Sequence, residues 1–238
     1  MMNARISVAA VLCAAGSSSR MQGEKKQFRS LGRGSTVLGT ALSAFARCPR
    51  IDCIVVAVPP ETEAQAAACL PPELRADGRV CFVAGGRTRR ASVHNALLHL
   101  QSWNPSHVLI HDGARPWIKP ELIEKVIDAA IAFGAVIPAV PLLETPKELE
   151  LGQPPFIKRH LKRAALCAAQ TPQGFSFPEI LAAHEKAAER EKMEGMEYTD
   201  DAEVWGEAAE QFALQVAVIP GDVENRKITF AKDLEETR

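Results

Sequence analysis

The fold of this chain is decided by a stretch near its start, which reads Val8-Ala9-Ala10-Val11-Leu12-Cys13-Ala14-Ala15-Gly16-Ser17-Ser18-Ser19-Arg20-Met21. The first six residues form a short apolar run of small and β-branched side chains, which is typical of a strand buried on both faces. The run ends in small residues, whose backbone can approach a ligand closely and turn successive N–H groups toward an anion. Arg20 and the nearby Lys25 and Lys26 add positive charge beside that turn. The stretch therefore predicts a strand followed by an anion-binding loop.

Other interpretations of the same stretch remain open at this point. A secretory or lipoprotein signal would also have a basic residue, Arg5, before an apolar run that ends near Cys13, although this run is short for one. An ordinary βα turn with solvated charges is the second alternative. A P-loop is excluded, because Gly16 is not followed by the Gly-Lys-Ser/Thr ending of that motif. If the loop binds an anion, a nucleoside triphosphate fits its chemistry best among common ligands.

Composition predicts one large domain, residues 1–238, with an ordinary globular balance of apolar and charged residues. The net charge of −1 gives no electrostatic reason to expect nucleic acid or a membrane surface as a partner, so any anion site must be local. The longest apolar stretch, Ala129–Leu143, is interrupted by Gly and Pro and is too short to span a bilayer. The six cysteines are irregularly spaced without a Cys-x-x-Cys pair, which favours a reduced, cytoplasmic protein over a disulfide framework or a zinc site.

Strand-like runs alternate with helical patterns along most of the chain. After the first strand, the predicted strands are Ile51–Val58, Val80–Ala84, Val108–Ile110, Ala135–Val140 and Phe212–Ile219. The predicted helices are Val37–Arg47, Glu61–Leu70, Ser92–Leu100, Glu121–Phe133, Pro178–Lys192 and Asp200–Ala209. This alternation predicts an α/β fold with a mostly parallel sheet and helices on both faces.

Residues 141–163 break this alternation. The segment contains Gly152 and the pair Pro154-Pro155, followed by the basic run Lys158-Arg159-His160. Glycine and proline interrupt regular elements, so this composition favours an excursion from the alternating pattern. We therefore predict an extended arm here rather than another helical crossover.

Polar loops follow several of the predicted strands. Residues 85–92 follow the third strand, residues 111–116 follow the fourth, and Lys227 follows the last. Each alone could be a solvated loop, but ligands of open α/β sheets bind beyond the carboxyl ends of the strands, where these loops would meet. Asp112, at the tip of a buried strand, is the best candidate ligand for Mg²⁺, and its competing role is to cap the helix that follows.

Five motifs occur in order along the chain. They are Ala-Ala-Gly-x-x-x-Arg-Met from Ala14, Lys-Gln-Phe from Lys26, Gly-Gly-x-x-Arg-x-x-Ser-Val from Gly85, His-Asp-x-Ala-Arg-Pro from His111, and Gln-Thr-Pro-Gln-Gly-Phe from Gln170. Together they resemble the 2-C-methyl-D-erythritol 4-phosphate cytidylyltransferase family of the non-mevalonate isoprenoid pathway, over Val11 to about Thr229. The resemblance implies a three-layer, Rossmann-like nucleotidyltransferase fold, similar to glycosyltransferase A, with a protruding β-arm at residues 141–163 that forms a homodimer. It also implies cytidylyl transfer from CTP to a sugar-alcohol phosphate, with Mg²⁺ as the cofactor.

The resemblance also implies a role for individual residues. Around the nucleotide, the CTP site would be lined by Ala14, Ala15 and Gly16, and the catalytic cations would be Arg20, Lys26 and Lys227. Cytosine and ribose would be recognised by Gly86 and Ser92. Asp112 would bind Mg²⁺, and Arg115 would order the loop that carries Asp112. Around the acceptor, Thr145 and Arg163 would bind the phosphate of the second substrate from a neighbouring subunit's arm, and Thr171 and Thr199 would face the two substrates.

Three positions depart from the family's pattern, and two other functions remain open. Ser18 replaces a glycine two residues after Gly16, Arg87 stands where an acidic residue is usual beside the cytosine, and Lys162 replaces an aspartate before Arg163. Ribitol-5-phosphate cytidylyltransferase shares most of these motifs and is the alternative within enzymes. The alternative outside enzymes is a nucleotide-binding protein of the same fold without turnover.

Overall fold

A computed structural model of the chain describes residues 6–16, 25–32, 35–208 and 215–235. Its strands, numbered in chain order, are β1 Val8–Cys13, β2 Ser30–Gly32, β3 Ser35–Thr36, β4 Cys53–Val58, β5 Val80–Ala84, β6 His107–Asp112, β7 Ala135–Pro141, β8 Lys147–Glu150, β9 Phe156–His160, β10 Cys167–Ala169, β11 Gln173–Ser176 and β12 Ala217–Pro220. Its helices are α1 Val37–Ala46, α2 Glu63–Ala68, α3 Pro72–Arg75, α4 Arg89–Leu100, α5 Pro120–Phe133, α6 Phe177–Glu194, α7 Asp201–Trp205 and α8 Lys232–Glu235.

Eight of these strands form one mixed sheet with a parallel core. The order along the sheet is β10-β7-β11-β6-β1-β4-β5, and β12 pairs with β7. The pairs β1–β4, β1–β6, β4–β5 and β7–β12 are parallel, which confirms the mostly parallel sheet expected from the alternating pattern. Four short strands were not predicted, namely β2, β3, β10 and β11. Strand β11 inserts antiparallel between β6 and β7. It has only four residues, too few to give a recognisable pattern by themselves.

Helices cover both faces of the sheet, so the predicted three layers are present. Ala10 and Leu12 of β1 belong to the core beneath α1 and α5, whereas Ala9 and Val11 belong to the core beneath α4 and α6. All four side chains are fully buried. The opening apolar run is therefore a buried inner strand of the main sheet, as its composition predicted.

Side-chain caps set where the helices begin. The Thr36 hydroxyl accepts a hydrogen bond from the Gly39 amide at the start of α1, and the Thr88 hydroxyl accepts one from the Ala91 amide at the start of α4. Such caps satisfy amides that have no partner within the helix. Helix α4 consequently begins at Arg89, three residues before the predicted start, which places Arg89 within its first turn.

The segment that breaks the alternation forms a two-stranded hairpin. Strands β8 and β9 pair only with each other, antiparallel, between the end of β7 and β10. The predicted extended arm is thus a β-hairpin outside the main sheet. The last predicted strand, Phe212–Ile219, is observed as β12 from Ala217, and residues 212–214 lie outside the described residues.

Neither a membrane-spanning helix nor a disulfide occurs in the described part of the chain. None of the described helices combines the length and apolar character needed to cross a bilayer. All six cysteines lie in described segments, and each is a free thiol.

His111, on β6, is a fully buried histidine within hydrogen-bond reach of two groups. Its Nδ1 lies 3.0 Å from the Thr171 hydroxyl and its Nε2 lies 3.1 Å from the Arg115 carbonyl oxygen, which requires a proton on Nε2. Its ring also packs against Phe45 of α1, with 4.9 Å between ring centroids. Burial lowers the pKa of His111 from 6.5 to about 4, so the folded protein holds this ring neutral at pH 7.

The buried His111 makes stability depend on pH. Between pH 6.5 and 4 the unfolded chain protonates this ring and the folded chain does not, so the free energy of unfolding falls as pH falls. We expect the His111 share of the loss to reach about 3 kcal/mol at pH 4. Urea unfolding of the wild type and of His111→Gln over this range measures it. The variant should show a flatter pH dependence, and an identical slope in both proteins would contradict the assignment.

Candidate active site

A cavity of about 480 Å³ opens at the carboxyl ends of β1, β5 and β6. Its walls are the loops that follow these strands, together with the residues before β2 and after β12. Eight of the predicted site residues line it, namely Ala14, Ala15, Gly16, Lys26, Gly86, Ser92, Asp112 and Lys227. The structure therefore brings together positions that lie more than 200 residues apart in the chain.

Glycines allow two of these loops to pack closely against the β1 loop. A Cβ on Gly85 would lie 2.2 Å from the Cβ of Ala15, and one on Gly113 would lie 3.0 Å from the Cys13 carbonyl oxygen. The Gly113 amide donates to that same carbonyl at 2.9 Å. A Cβ on Gly16, by contrast, would meet no described atom within 4 Å. Close backbone packing of the loops, rather than long side chains, therefore shapes this wall of the cavity.

Ser92 and Gly86 are linked to each other across the loop before α4. The Ser92 hydroxyl accepts a hydrogen bond from the Gly86 amide at 3.0 Å and donates one to the Thr88 carbonyl oxygen at 2.9 Å. A Cβ on Gly86 would lie only 2.5 Å from the Cβ of Ala91. Both residues line the cavity, and both also hold the shape of the loop.

Asp112 is the carboxylate of this cavity, and three cations surround it. Its Oδ2 lies 2.7 Å from Lys227 Nζ and 3.8 Å from Arg115 Nε, and its Oδ1 lies 3.2 Å from Arg89 Nε. Burial alone would raise the pKa of Asp112, but the Arg89 and Lys227 cations outweigh it and hold that pKa well below its ordinary value. The carboxylate is therefore ionised at any physiological pH.

Arg89 and Asp201 also belong to the site, although the sequence pattern did not predict a role for either residue. Arg89 lines the cavity, and its Nη2 lies 2.7 Å from Oδ2 of the fully buried Asp201 on α7. The His184 Nε2 lies 3.3 Å from the other oxygen of Asp201. Burial would raise the pKa of Asp201, yet Arg89 and His184 lower it below the ordinary value. Arg89 stands in a quoted motif, but nothing in the sequence pairs it with a residue 112 positions away.

The segment after β12 is held by a buried asparagine that sequence analysis also missed. The Asn225 side-chain amide donates to the Thr171 carbonyl oxygen at 2.8 Å, and the Asn225 backbone carbonyl oxygen accepts from Arg115 Nη1 at 2.8 Å. The Ile228 amide donates to the Ala114 carbonyl oxygen, and Lys26 Nζ donates to the Ile228 carbonyl oxygen. These bonds place Lys227 opposite Asp112.

Arg115 and Thr171 stand behind Asp112 rather than in the cavity wall. The Thr171 hydroxyl accepts a hydrogen bond from the Asp112 amide at 3.0 Å, and Thr171 is almost completely buried. This differs from the expectation that Thr171 faces the substrates. Thr199 is exposed and its hydroxyl donates to Glu203 at 2.8 Å, outside the cavity wall.

The two predicted acceptor residues of the arm lie at its base and are not among the residues that line the cavity. Thr145 precedes β8 and Arg163 follows β9. Both are exposed, and Arg163 Nη1 donates to the Leu143 carbonyl oxygen at 2.7 Å across the base. The remaining predicted cation, Arg20, lies outside the described residues.

The donor set suits a divalent cation that arrives with a phosphate ligand. In the described segments no group of three or more His, Cys, Asp or Glu side chains could hold a metal by itself. Asp112 nevertheless offers an ionised carboxylate at the cavity wall. Mg²⁺ commonly takes one or two protein carboxylates and completes its shell with phosphate oxygens and water. The residues present therefore fit Mg²⁺ bound jointly with a nucleotide.

Solved structures with the same fold carry related names. The 4-diphosphocytidyl-2C-methyl-D-erythritol synthase of Anaerococcus prevotii superposes with a TM-score of 0.79 at 28% identity, covering 97% of this chain and 94% of that one. The 2-C-methyl-D-erythritol 4-phosphate cytidylyltransferase of Thermus thermophilus superposes with a TM-score of 0.71 at 31% identity, covering 95% of each chain. This agreement confirms the nucleotidyltransferase fold with its hairpin.

Curated relatives and a family profile agree with the structural comparison. The bifunctional enzyme IspD/IspF of Bradyrhizobium is 42% identical over 235 residues, and that of Brucella anthropi is 35% identical over 232. These matches cover 97% and 96% of this chain but 56% and 54% of the relatives, so the chain spans about half their length. The profile described as IspD, 2-C-methyl-D-erythritol 4-phosphate cytidylyltransferase, matches residues 8–238. The chain therefore belongs to the 2-C-methyl-D-erythritol 4-phosphate cytidylyltransferase family.

Proposed function

We propose that this chain transfers the cytidylyl group of CTP to 2-C-methyl-D-erythritol 4-phosphate. An oxygen of the acceptor's phosphate monoester attacks the α-phosphorus of CTP. The bond from that phosphorus to the bridging oxygen of the β-phosphate breaks, and pyrophosphate leaves. The products are 4-diphosphocytidyl-2-C-methyl-D-erythritol and pyrophosphate.

One observation carries this proposal. Gly16, Asp112 and Lys227 come from three distant segments and line a single cavity at the edge of a parallel sheet. Family membership names the reaction class, and the cavity contains the charges that a triphosphate requires. If the three loops were ordinary solvated loops, Gly16, Asp112 and Lys227 would have no reason to line the same cavity.

The cations of the cavity supply the main chemical assistance. Phosphoryl transfer needs alignment and positive charge more than covalent chemistry, because negative charge builds up around the reacting phosphorus and the leaving pyrophosphate. Lys26 and Lys227 both line the cavity, and Lys26 Nζ donates a hydrogen bond to the carbonyl oxygen of Ile228, the residue after Lys227. We assign both to the triphosphate, together with Arg20 of the β1 loop. Lys227 would then leave Asp112 and move its charge to the phosphates.

The remaining nucleotide-side residues fix the geometry. Mg²⁺, held by Asp112 and the phosphates, would neutralise part of the triphosphate charge and favour departure of pyrophosphate. Arg115 and Thr171 keep Asp112 in place through an ion pair and a backbone hydrogen bond. Ser92 and Gly86 hold the loop against which the nucleoside would bind.

The acceptor side of the proposal includes a second copy of the chain. The hairpin exposes Leu151, Phe156 and Ile157 by 88%, 66% and 54%, which is an apolar surface that a lone two-stranded hairpin leaves uncovered. We propose that this surface packs against a partner copy and brings Thr145 and Arg163 to the partner's cavity, where both bind the acceptor's phosphate. A guanidinium can bind a phosphate through two parallel hydrogen bonds, which suits Arg163 to positioning.

Six free thiols support a reducing, cytoplasmic setting.

The decisive experiment is pyrophosphate release from CTP with two acceptors in parallel. We expect rapid release with 2-C-methyl-D-erythritol 4-phosphate and Mg²⁺, and little with ribitol 5-phosphate. Faster release with ribitol 5-phosphate would replace the proposed acceptor. Release with neither, despite tight CTP binding, would favour a binding protein without turnover.

Substitution of two neighbouring lysines distinguishes a specific role of Lys26 in catalysis from a general effect of positive charge near the cavity. Lys26 lines the cavity, whereas Lys25 is exposed and outside its lining. Lys26→Ala should lower kcat by about 10²- to 10³-fold, the usual cost of one well-placed electrostatic donor. Lys25→Ala should stay within about twofold, since an exposed charge is screened by solvent. Steady-state kinetics at saturating substrates measures both, and equal effects of the two changes would refute the role of Lys26.

The proposed dimer depends on the apolar surface of the arm. Phe156→Asp would place a charge in that surface, and we expect this variant to sediment as a monomer and to lose affinity for the acceptor. Phe133→Asp, at the exposed end of α5, is the matched control and should remain dimeric. Analytical ultracentrifugation at micromolar concentration distinguishes them. A monomeric wild-type chain that retains full activity would rule out the shared site.

A further inference from the structure

Asp201 is a buried charge next to the cavity but not part of its lining. Its side chain has no solvent exposure, and it begins the short helix α7. A buried carboxylate is costly unless it is paired, and the loss of one partner then leaves the other uncompensated. Asp201 must therefore be explained by what it pairs with, and its closest charged partner is Arg89 at 2.7 Å.

The Arg89 guanidinium is divided between two carboxylates. Its Nη2 lies 2.7 Å from Asp201 Oδ2, and its Nε lies 3.2 Å from Asp112 Oδ1. The shorter contact is the one to Asp201. A guanidinium can also offer Nε and one Nη together to a single carboxylate, as a parallel pair of hydrogen bonds. Asp201 thus competes with Asp112 for the same cation.

The backbone of α7 does not need the Asp201 side chain. Gln173 Oε1 accepts hydrogen bonds from the amides of Asp201 and Ala202, and Asp200 Oδ1 accepts one from the Glu203 amide. These bonds satisfy the first amides of the helix. The Asp201 carboxylate is therefore directed at Arg89 and His184 rather than used to start its own helix.

Asp112 already faces more cations than it can neutralise. Lys227 and Arg115 lie at 2.7 and 3.8 Å from Oδ2, in addition to Arg89 at Oδ1. A lysine on an exposed loop can move to a phosphate, but the Arg89 side chain is only 25% exposed and is paired with Asp201 at 2.7 Å, so its charge stays beside Asp112. If Arg89 formed both of its hydrogen bonds with Asp112, its positive charge would largely neutralise that carboxylate and weaken the attraction between Asp112 and a divalent cation.

We propose that Asp201 is a positioning residue, which draws the Arg89 guanidinium away from Asp112 and keeps this carboxylate available to a nucleotide-bound divalent cation. The inference rests on the proposed function, because it takes Asp112 as the ligand of that cation. It adds a purpose for the Arg89–Asp201 pair, which the proposed reaction by itself does not use.

The test measures cation binding without turnover. Mn²⁺ serves as the probe, and electron paramagnetic resonance follows its binding to the full chain with CTP present and no acceptor. Asp201→Asn keeps the size of the side chain and removes its charge, so we expect Mn²⁺ to bind at least about tenfold more weakly, because nothing then offsets the Arg89 charge. Asp200→Asn is the matched control, since it alters the same helix start without touching Arg89, and it should bind Mn²⁺ like the wild type.

A double variant separates positioning from mere support of the fold. Arg89→Met combined with Asp201→Asn removes both charges, and Mn²⁺ affinity should return toward the wild-type value. Equal weakening in the single and double variants would overturn the inference, and so would wild-type affinity in Asp201→Asn. Asp112→Asn tests the assumption beneath both. If Asp112→Asn leaves Mn²⁺ binding intact, the assignment of Asp112 as the metal ligand fails. If Asp112→Asn loses Mn²⁺ binding while Asp201→Asn keeps wild-type affinity, only the role of Asp201 is refuted.

Discussion

The cavity depends on one buried negative charge at the carboxyl end of β6, the carboxylate of Asp112. Taking such a group out of water is unfavourable unless opposite charges and hydrogen bonds accompany it. Here the compensating groups are Lys227, Arg89 and Arg115, and they come from three separate segments. Each segment is consequently held where the carboxylate needs it, so the constraint that keeps Asp112 ionised also assembles the cavity.

Strand register determines where that charge lies. Cys13 and Asp112 are paired residues at the ends of β1 and β6, so the β1 loop and the carboxylate reach the sheet edge at the same level. Gly85 and Gly113 then let the neighbouring loops approach without steric conflict. The outcome is a pocket whose lining includes several cations and the carboxylate of Asp112. This combination suits a nucleotide that brings its own divalent ion.

The two halves of the proposed reaction have different structural sources. The nucleotide half is built by loops of the main sheet, which are fastened by internal hydrogen bonds such as those of Asn225. In the proposal, the acceptor half depends on Thr145 and Arg163 at the base of a hairpin whose two strands, among the described residues, pair only with each other. A hairpin with exposed apolar residues gains rigidity by packing on another surface. Sharing a site between copies would give the arm both stability and a function.

Sequence alone determined the α/β order, the buried first strand, the arm and the set of loops at one sheet edge, because periodicity and strand ends are local properties. It did not reveal β11, Asn225 or the Arg89–Asp201 pair. Arg89 and Asp201 look like ordinary surface charges in the sequence, but in the folded chain Asp201 is fully buried and pairs with Arg89, whose side chain is only 25% exposed. Only the tertiary structure decides which charges are buried together, since the cost of burial and its compensation exist only once distant segments meet.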